Sequence, residues 1–182
     1  MTAGNLHGSN PNAICATLRI LATTDLHSHL MPYDYFTDQP AHFVGLTRTA
    51  SLISQARSEV PNSILVDNGD FLQGSPLADY VAQVRGANDT RLHPMISAMN
   101  QLRYDAGALG NHEFNYGIDF LLRAIKQANF PVLSANAVLR KAESPNDDST
   151  LVAPYVLLDR KLTDAEGQSH PIRIGIIACL PP

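Results

Sequence analysis

Three times in this chain an apolar, strand-like run hands over directly to a short polar motif. Leu18-Arg19-Ile20-Leu21-Ala22 leads to Asp25-x-His27, Ser63-Ile64-Leu65-Val66 to Gly69-Asp70, and Ala106-Gly107-Ala108-Leu109 to Gly110-Asn111-His112-Glu113. Asp70 lies 45 residues after Asp25, and Asn111 lies 41 after Asp70. Such spacing leaves room for a crossover helix between successive strands. It predicts an α/β fold with parallel strand connections. Open sheets of this kind place their sites in loops at the carboxyl ends of strands, where all three motifs fall.

The intervening segments fit that plan. Phe43, Leu46, Ala50, Ile53 and Ala56 recur at helical steps until Pro61-Asn62 breaks the pattern. Pro76 suits the first turn of a short helix through about Val84. A further helix is expected over His93–Leu102, with Met95, Met99 and Leu102 on one face as core packing. Residues 117–128 read as a helix and Phe130–Ala135 as a strand. Residues 140–150 read as a polar surface loop, and Tyr155–Leu158 and Ile172–Cys179 as strands, with a turn at Asp164–Gly167. No internal repeat is present.

At 182 residues, 45% hydrophobic and 16% charged, one domain of ordinary size is expected. The formal charge of −4 gives no basic footprint and argues against a long nucleic-acid partner. A small anionic substrate stays compatible, because bound cations would supply local positive charge. No apolar run approaches the roughly 18–20 residues of a bilayer span, so no membrane partner is expected. Residues 1–16 lack the basic start and apolar core of a secretory signal and read as a loosely ordered leader. Cys179, inside an apolar run, is expected to be a buried small hydrophobe, and Cys15 lies in the leader. Nothing in the sequence sets the oligomeric state.

A carboxylate with a histidine two residues on, a second carboxylate, and an amide beside a histidine form an oxygen-and-nitrogen donor set. Such donors suit divalent Mn, Fe, Zn or Co. Asp25 and His27 need a turn directly after the strand to aim the same way. Asp70 can offer one oxygen to each of two ions, and Asn111 a neutral amide oxygen. His112 can point past the metals and donate to a departing oxygen. Two ions about 3.5–4 Å apart can hold a shared hydroxide and polarise a phosphoryl group for in-line attack. Each motif alone has an ordinary reading: a polar loop, a turn, or a helix start with Asn111 capping and Glu113 in the first turn. Glu113 is read as a supporting or capping residue. His29 and His42 are assigned to loop or surface, and His7, His93 and His170 to exposed or capping positions. Asp67 is expected to end its strand and bond locally.

With these motifs in order, the chain resembles the calcineurin-like metallophosphoesterase superfamily. Gly69-Asp70-Phe71-Leu72-Gln73-Gly74-Ser75-Pro76 resembles its 5′-nucleotidase branch. Thr23-Thr24-Asp25-Leu26-His27-Ser28, Tyr33-Asp34-Tyr35, Gly45-Leu46-Thr47-Arg48-Thr49-Ala50-Ser51 and GNHEFNYG at 110–117 are most similar to the bacterial 2′,3′-cyclic-nucleotide 2′-phosphodiesterase/3′-nucleotidases. The resemblance implies a layered α/β sandwich and two divalent ions on Asp25, His27, bridging Asp70 and Asn111. It also implies a catalytic His112, a nucleotide substrate opened from the cyclic phosphate and then freed of its 3′-phosphate, and export to the periplasm or cell exterior. Residues that touch the substrate are not singled out.

Two departures accompany it. Asn115 stands where many 5′-nucleotidases carry an Asp three residues after the motif histidine, which weakens support for a charged His112. A Gly-His-x-His motif and an aromatic base-binding domain, both implied by the resemblance, do not occur within the 182 residues. The expectation is therefore a leader at 1–16 followed, at 17–182, by the N-terminal part of a longer enzyme, its sandwich incomplete at the C-terminus. Two alternatives stay open: a catalytically incomplete metal-binding piece, and a 5′-nucleotidase-type or sulfur-ester hydrolase.

Overall fold

A computed structural model describes residues 14–86 and 90–180. The expected leader and His7 lie almost wholly or wholly outside these residues. The elements run in the order β1 (Arg19–Thr23), β2 (Tyr33–Asp34), β3 (Gln39–Pro40), α1 (Leu46–Ser58), β4 (Ser63–Asp67) and α2 (Pro76–Asp79). A π-helical turn (Tyr80–Val84) continues α2. Then come α3 (Pro94–Gln101), β5 (Ala106–Ala108), a 3₁₀ turn (Asn111–Phe114), α4 (Ile118–Ile125) and β6 (Val132–Leu133). A β7–β8 ribbon (Val138–Arg140, Ser149–Thr150) precedes β9 (Tyr155–Thr163) and β10 (Ser169–Ile177).

β1, β4, β5 and β6 pair in that order, all parallel, as the strand–helix alternation predicts. Each helix start follows from local chemistry. Pro76 sits at the first position of α2, where its missing N–H costs nothing, and the Ser75 side chain caps the Ala78 amide. His93 caps α3, its Nδ1 accepting from the Met95 amide at 3.2 Å.

One face of the sheet carries the helices. Leu46 and Ile53 of α1, Met95, Ile96 and Met99 of α3, and Leu121 and Ala124 of α4 pack with Leu65, Phe71 and Leu109 in one core cluster. Ile64 and Leu65 are successive residues of β4, so they face opposite sides. Leu65 belongs to the helix-side cluster, whereas Ile64 is buried outside it. The β9–β10 hairpin lies on that second side, with Leu158 and Leu162, four apart on one strand face, both buried. Asn62 pins it, donating to the Thr163 carbonyl and accepting from the Thr163 amide, each at 2.7 Å.

Several expectations need correction. Phe43 does not join a helix face; α1 begins at Leu46, and Phe43 is 89% exposed. Segment 140–150 is not simply a loop, since its ends form the β7–β8 ribbon. The last two strands run nine residues each: Asp159 and Lys161 point outward, while Arg160, on the face of Leu158 and Leu162, reaches Asp105, so the ladder continues through all three. Cys179 is exposed rather than buried: it lies past the end of β10, beside an open cleft. His93 caps as expected but is buried.

Candidate metal centre

β1, β4 and β5 end side by side, and the loops that leave them meet. Oxygen or nitrogen atoms of Asp25, His27 and Asp70 all lie within 4.8 Å of one another. Asp25, His27 and Asp70 have φ values of 52°, 46° and 60°, and Ser28 joins them at 53°. Left-handed backbone at non-glycine residues is uncommon, and a run of it marks a loop held in shape by its surroundings.

The Asp70 loop is the slat on which the other two hang. Its carbonyls face the first loop: Gly69, Asp70 and Phe71 accept from the amides of Asp25, His27 and Ser28 at 3.0, 2.8 and 3.1 Å. Its amides face the third loop. The Glu113 carboxylate, fully buried, accepts from the amides of Asp70 (2.8 Å), Phe71 (2.7 Å) and Leu72 (3.0 Å), and from Gly110 (2.6 Å). The Gly110 bond is half of the anticipated helix start, with Gly110 and not Asn111 in the capping position. Burial pushes the Glu113 carboxyl above its ordinary value, against the pull of those four donors. The approach is close: a Cβ on Gly110 would sit 2.2 Å from Asp70 Oδ1.

Asp67 supports the same loop. It is the last residue of β4, accepting from the Gly69 amide at 2.9 Å and from the Thr23 hydroxyl at 2.5 Å. Thr23 in turn lies 2.8 Å from the Tyr104 hydroxyl, which is the donor whenever Thr23 gives its proton to an ionised Asp67. Burial raises the Asp67 carboxyl to about 7.

The histidines are oriented by neighbours: Asn115, the position singled out in the sequence, for His112, and for His27 the Gln73 backbone, which the sequence did not mark. His27 Nδ1 lies 2.7 Å from the Gln73 carbonyl, which can only accept, so Nδ1 carries the proton. Nε2 is left as the donor atom, 3.7 Å from Asp25 Oδ1. The Thr24 hydroxyl bonds to the other Asp25 oxygen. A Cβ on Gly74 would meet the His27 ring at 2.7 Å, so that glycine is a matter of room. The rings of His27 and His112 meet edge to face, centroids 5.3 Å apart. The Asn115 side-chain amide donates to His112 Nδ1 at 2.9 Å and to Gln73 Oε1 at 3.3 Å. The His112 amide donates to Asp70 Oδ1 at 2.8 Å.

Of the residues singled out in the sequence, Asp25, His27, Asp70 and His112 come together. Asn111 opens the adjoining 3₁₀ turn and is exposed. His29 is half-buried in the first loop, and His42 is exposed. Two carboxylates and an imidazole, the latter with its nearer nitrogen unprotonated, fit a divalent cation. A separate cleft of about 490 Å³, which Asp25, His27, Asp70 and His112 do not line, lies between the sheet and β10, against Val66, Ala108, Leu133, Ile176 and Cys179 among others. Sequence reasoning missed Gln73, Gly74 and Thr24, and only the hydroxyl next to Asp25 carried a readable signal. Among the described residues no helix is long and apolar enough to cross a membrane.

The sequence profile of the calcineurin-like phosphoesterases matches residues 18–167. The chain is 48% identical over 165 residues to a 2′,3′-cyclic-nucleotide 2′-phosphodiesterase/3′-nucleotidase from Haemophilus influenzae, covering 91% of this chain and 24% of that protein. It is 36% identical over 155 residues to human 5′-nucleotidase, covering 81% and 25% respectively. The crystal structure of calcineurin-like phosphoesterase YfkN from Bacillus subtilis superposes with a TM-score of 0.82 at 44% identity, over 91% of this chain and 48% of that one. The chain thus spans about a quarter of the length of the curated relatives it matches.

Proposed function

The chain belongs to the calcineurin-like phosphoesterase family, and we propose on that footing that it hydrolyses 2′,3′-cyclic nucleotides and 3′-nucleotides with the help of two divalent cations. The observation that carries this reading is the meeting of Asp25, His27 and Asp70 within 4.8 Å at the ends of β1 and β4. The similarity to the Haemophilus phosphodiesterase/3′-nucleotidase, closer than that to the human 5′-nucleotidase, supports the choice of substrate.

Asp25, His27, Asp70 and Asn111 would hold the cations. When bound, these supply Lewis acidity, polarising the phosphoryl group and bringing the attacking water to hydroxide near neutral pH. The Gln73 carbonyl keeps His27 in the tautomer that presents Nε2. Thr24 orients Asp25. Asn115 donates to His112 Nδ1, so a neutral His112 carries its proton on Nε2 and can give that hydrogen bond to the leaving oxygen. A neutral amide at position 115 does not hold an imidazolium as a carboxylate would. By the same family resemblance the enzyme works in the periplasm or outside the cell, which fractionation of the source cells checks.

The test is turnover by the 182-residue chain in Mn²⁺ or Co²⁺, with bis-p-nitrophenyl phosphate, 2′,3′-cyclic AMP, 3′-AMP and 5′-AMP. Cyclic AMP and 3′-AMP should be consumed in preference to 5′-AMP. A preference for 5′-AMP would contradict the substrate assignment. Mn²⁺ binding without any turnover would favour the second reading, a metal-binding piece with an incomplete site, for which the chain's quarter share of its relatives' length speaks.

A further inference from the structure

The three loops are not joined in the same way. The first and second are stitched by consecutive backbone bonds, from the amides of Asp25, His27 and Ser28 to the carbonyls of Gly69, Asp70 and Phe71. Between the second and third, the β4–β5 ladder ends at Asp67 and Gly107, three residues short of Asp70 and of Gly110. Beyond it the junction runs through side chains. One bond uses Asp70 itself, accepting from the His112 amide at 2.8 Å. Asn115 adds an exposed bond to Gln73 Oε1 at 3.3 Å. The buried backbone amides of the second loop that cross it, those of Asp70, Phe71 and Leu72, all end on Glu113, whose Oε2 also takes the Gly110 amide of its own turn.

We propose that Glu113 is a positioning residue, whose buried carboxylate sets the Asn111–His112 turn against Asp70 across a junction that lacks ladder bonds. Its carboxylate bonds only to backbone amides, of residues 70–72 on one side and Gly110 on the other, and so acts through the backbone of both loops. The carboxylate form is required by the donor count. Each oxygen faces two N–H groups, so a glutamine, whatever its flip, points an NH₂ at two further donors. Losing Glu113 should therefore free residues 70–72 and 110 while the Asp25–His27–Ser28 amides keep their carbonyl partners. The proposal goes beyond the phosphoesterase reading and rests on it only for the identity of the cation.

The experiment compares Glu113→Gln and Glu113→Asp with Met99→Ala, a fully buried core position in α3. Amide hydrogen exchange is followed without metal, and Mn²⁺ affinity is titrated separately. In Glu113→Gln the amides of Asp70, Phe71, Leu72 and Gly110 should exchange at least about tenfold faster while those of Asp25, His27 and Ser28 change little. Mn²⁺ affinity should fall by about tenfold or more, the effect usual for groups that orient ligands. Glu113→Asp, charged but one methylene shorter, should give the same pattern at smaller amplitude, and it carries the test if the glutamine variant does not fold. Met99→Ala should lower Tm without either change. Exchange that rises evenly over all three loops, or matches Met99→Ala, would overturn the proposal. So would unchanged Mn²⁺ affinity in both Glu113 variants. If the unaltered chain binds no Mn²⁺, the cation reading fails on its own, and the exchange pattern still decides the role of Glu113.

Discussion

The loop cluster around Asp70 and the β9–β10 hairpin lean on the same parallel sheet, yet they are held in opposite ways. Around Asp70 each backbone amide from Asn68 to Leu72 has a partner, and Phe71 and Leu72 are fully buried beneath it. The hairpin has its own ladder and a few polar pins: Asn62 to Thr163, Arg160 to Asp105 at 2.6 Å, and Arg173 to Asp159 at 2.7 Å. Tyr155, Leu157, Ile172 and Ile177 stay exposed on it. The geometry of the candidate site is thus set by hydrogen bonds made deep in the sheet end, and the hairpin does not share in setting it. Mutations in the two regions should separate into those that alter cation binding and those that alter stability alone.

The largest effect is expected at Asp70. Asp70→Asn should weaken Mn²⁺ binding by more than about 100-fold, beyond the range typical of groups behind the ligands. His112→Asn should weaken it far less, since His112 is assigned to the leaving oxygen. Equal losses in a Mn²⁺ titration would erase the division between ligand and acid.

Asp67 gives the next effect, through pH. Its carboxyl titrates at about 7 when folded and about 4 when unfolded, so between those values the native chain holds a proton that the unfolded chain has released. The associated stability is fully present below about pH 4 and is lost as pH rises through 7, by about 4 kcal/mol. Asp67→Asn should flatten that slope in the metal-free chain, as read by urea unfolding at pH 5 and pH 8. An unchanged slope would move its origin to another group.

Arg160→Ala leaves Asp105, a mostly buried carboxylate, without its guanidinium partner, and should cost about 1–2 kcal/mol. Mn²⁺ affinity should not move; if it does, the hairpin helps shape the site after all. Gly167, at φ 81° in the hairpin turn with no atom within 4 Å of where a Cβ would stand, gives the smallest effect. Gly167→Ala should cost about 1 kcal/mol of Tm-derived stability, from backbone conformation alone.

The same contrast explains what could be read from the residues. Asp25, His27 and Asp70 were legible because a polar motif after an apolar run goes where parallel strands end. Met95 and Met99 were legible through helical period. Gln73 was not, because it acts on His27 through a backbone carbonyl that any residue would supply. The four donors of Glu113 depend on which way two distant loops turn their amides, and no local pattern encodes that. Charged Asp159, Arg160 and Lys161 hid the continuation of β9, whose two faces each carry an ion pair, Asp159 with Arg173 outward and Arg160 with Asp105 inward. Cys179 shows the limit of apolar runs as a guide: Ile174–Ala178 alternates between faces, and which face is covered is a tertiary fact.

The most direct test of the account is anomalous scattering from crystals of the 182-residue chain grown with Mn²⁺. The account predicts a peak bonded to Asp25, His27 and Asp70 at the ends of β1 and β4. Clear density for those side chains with no peak among them, or Mn²⁺ bound only elsewhere, would contradict it.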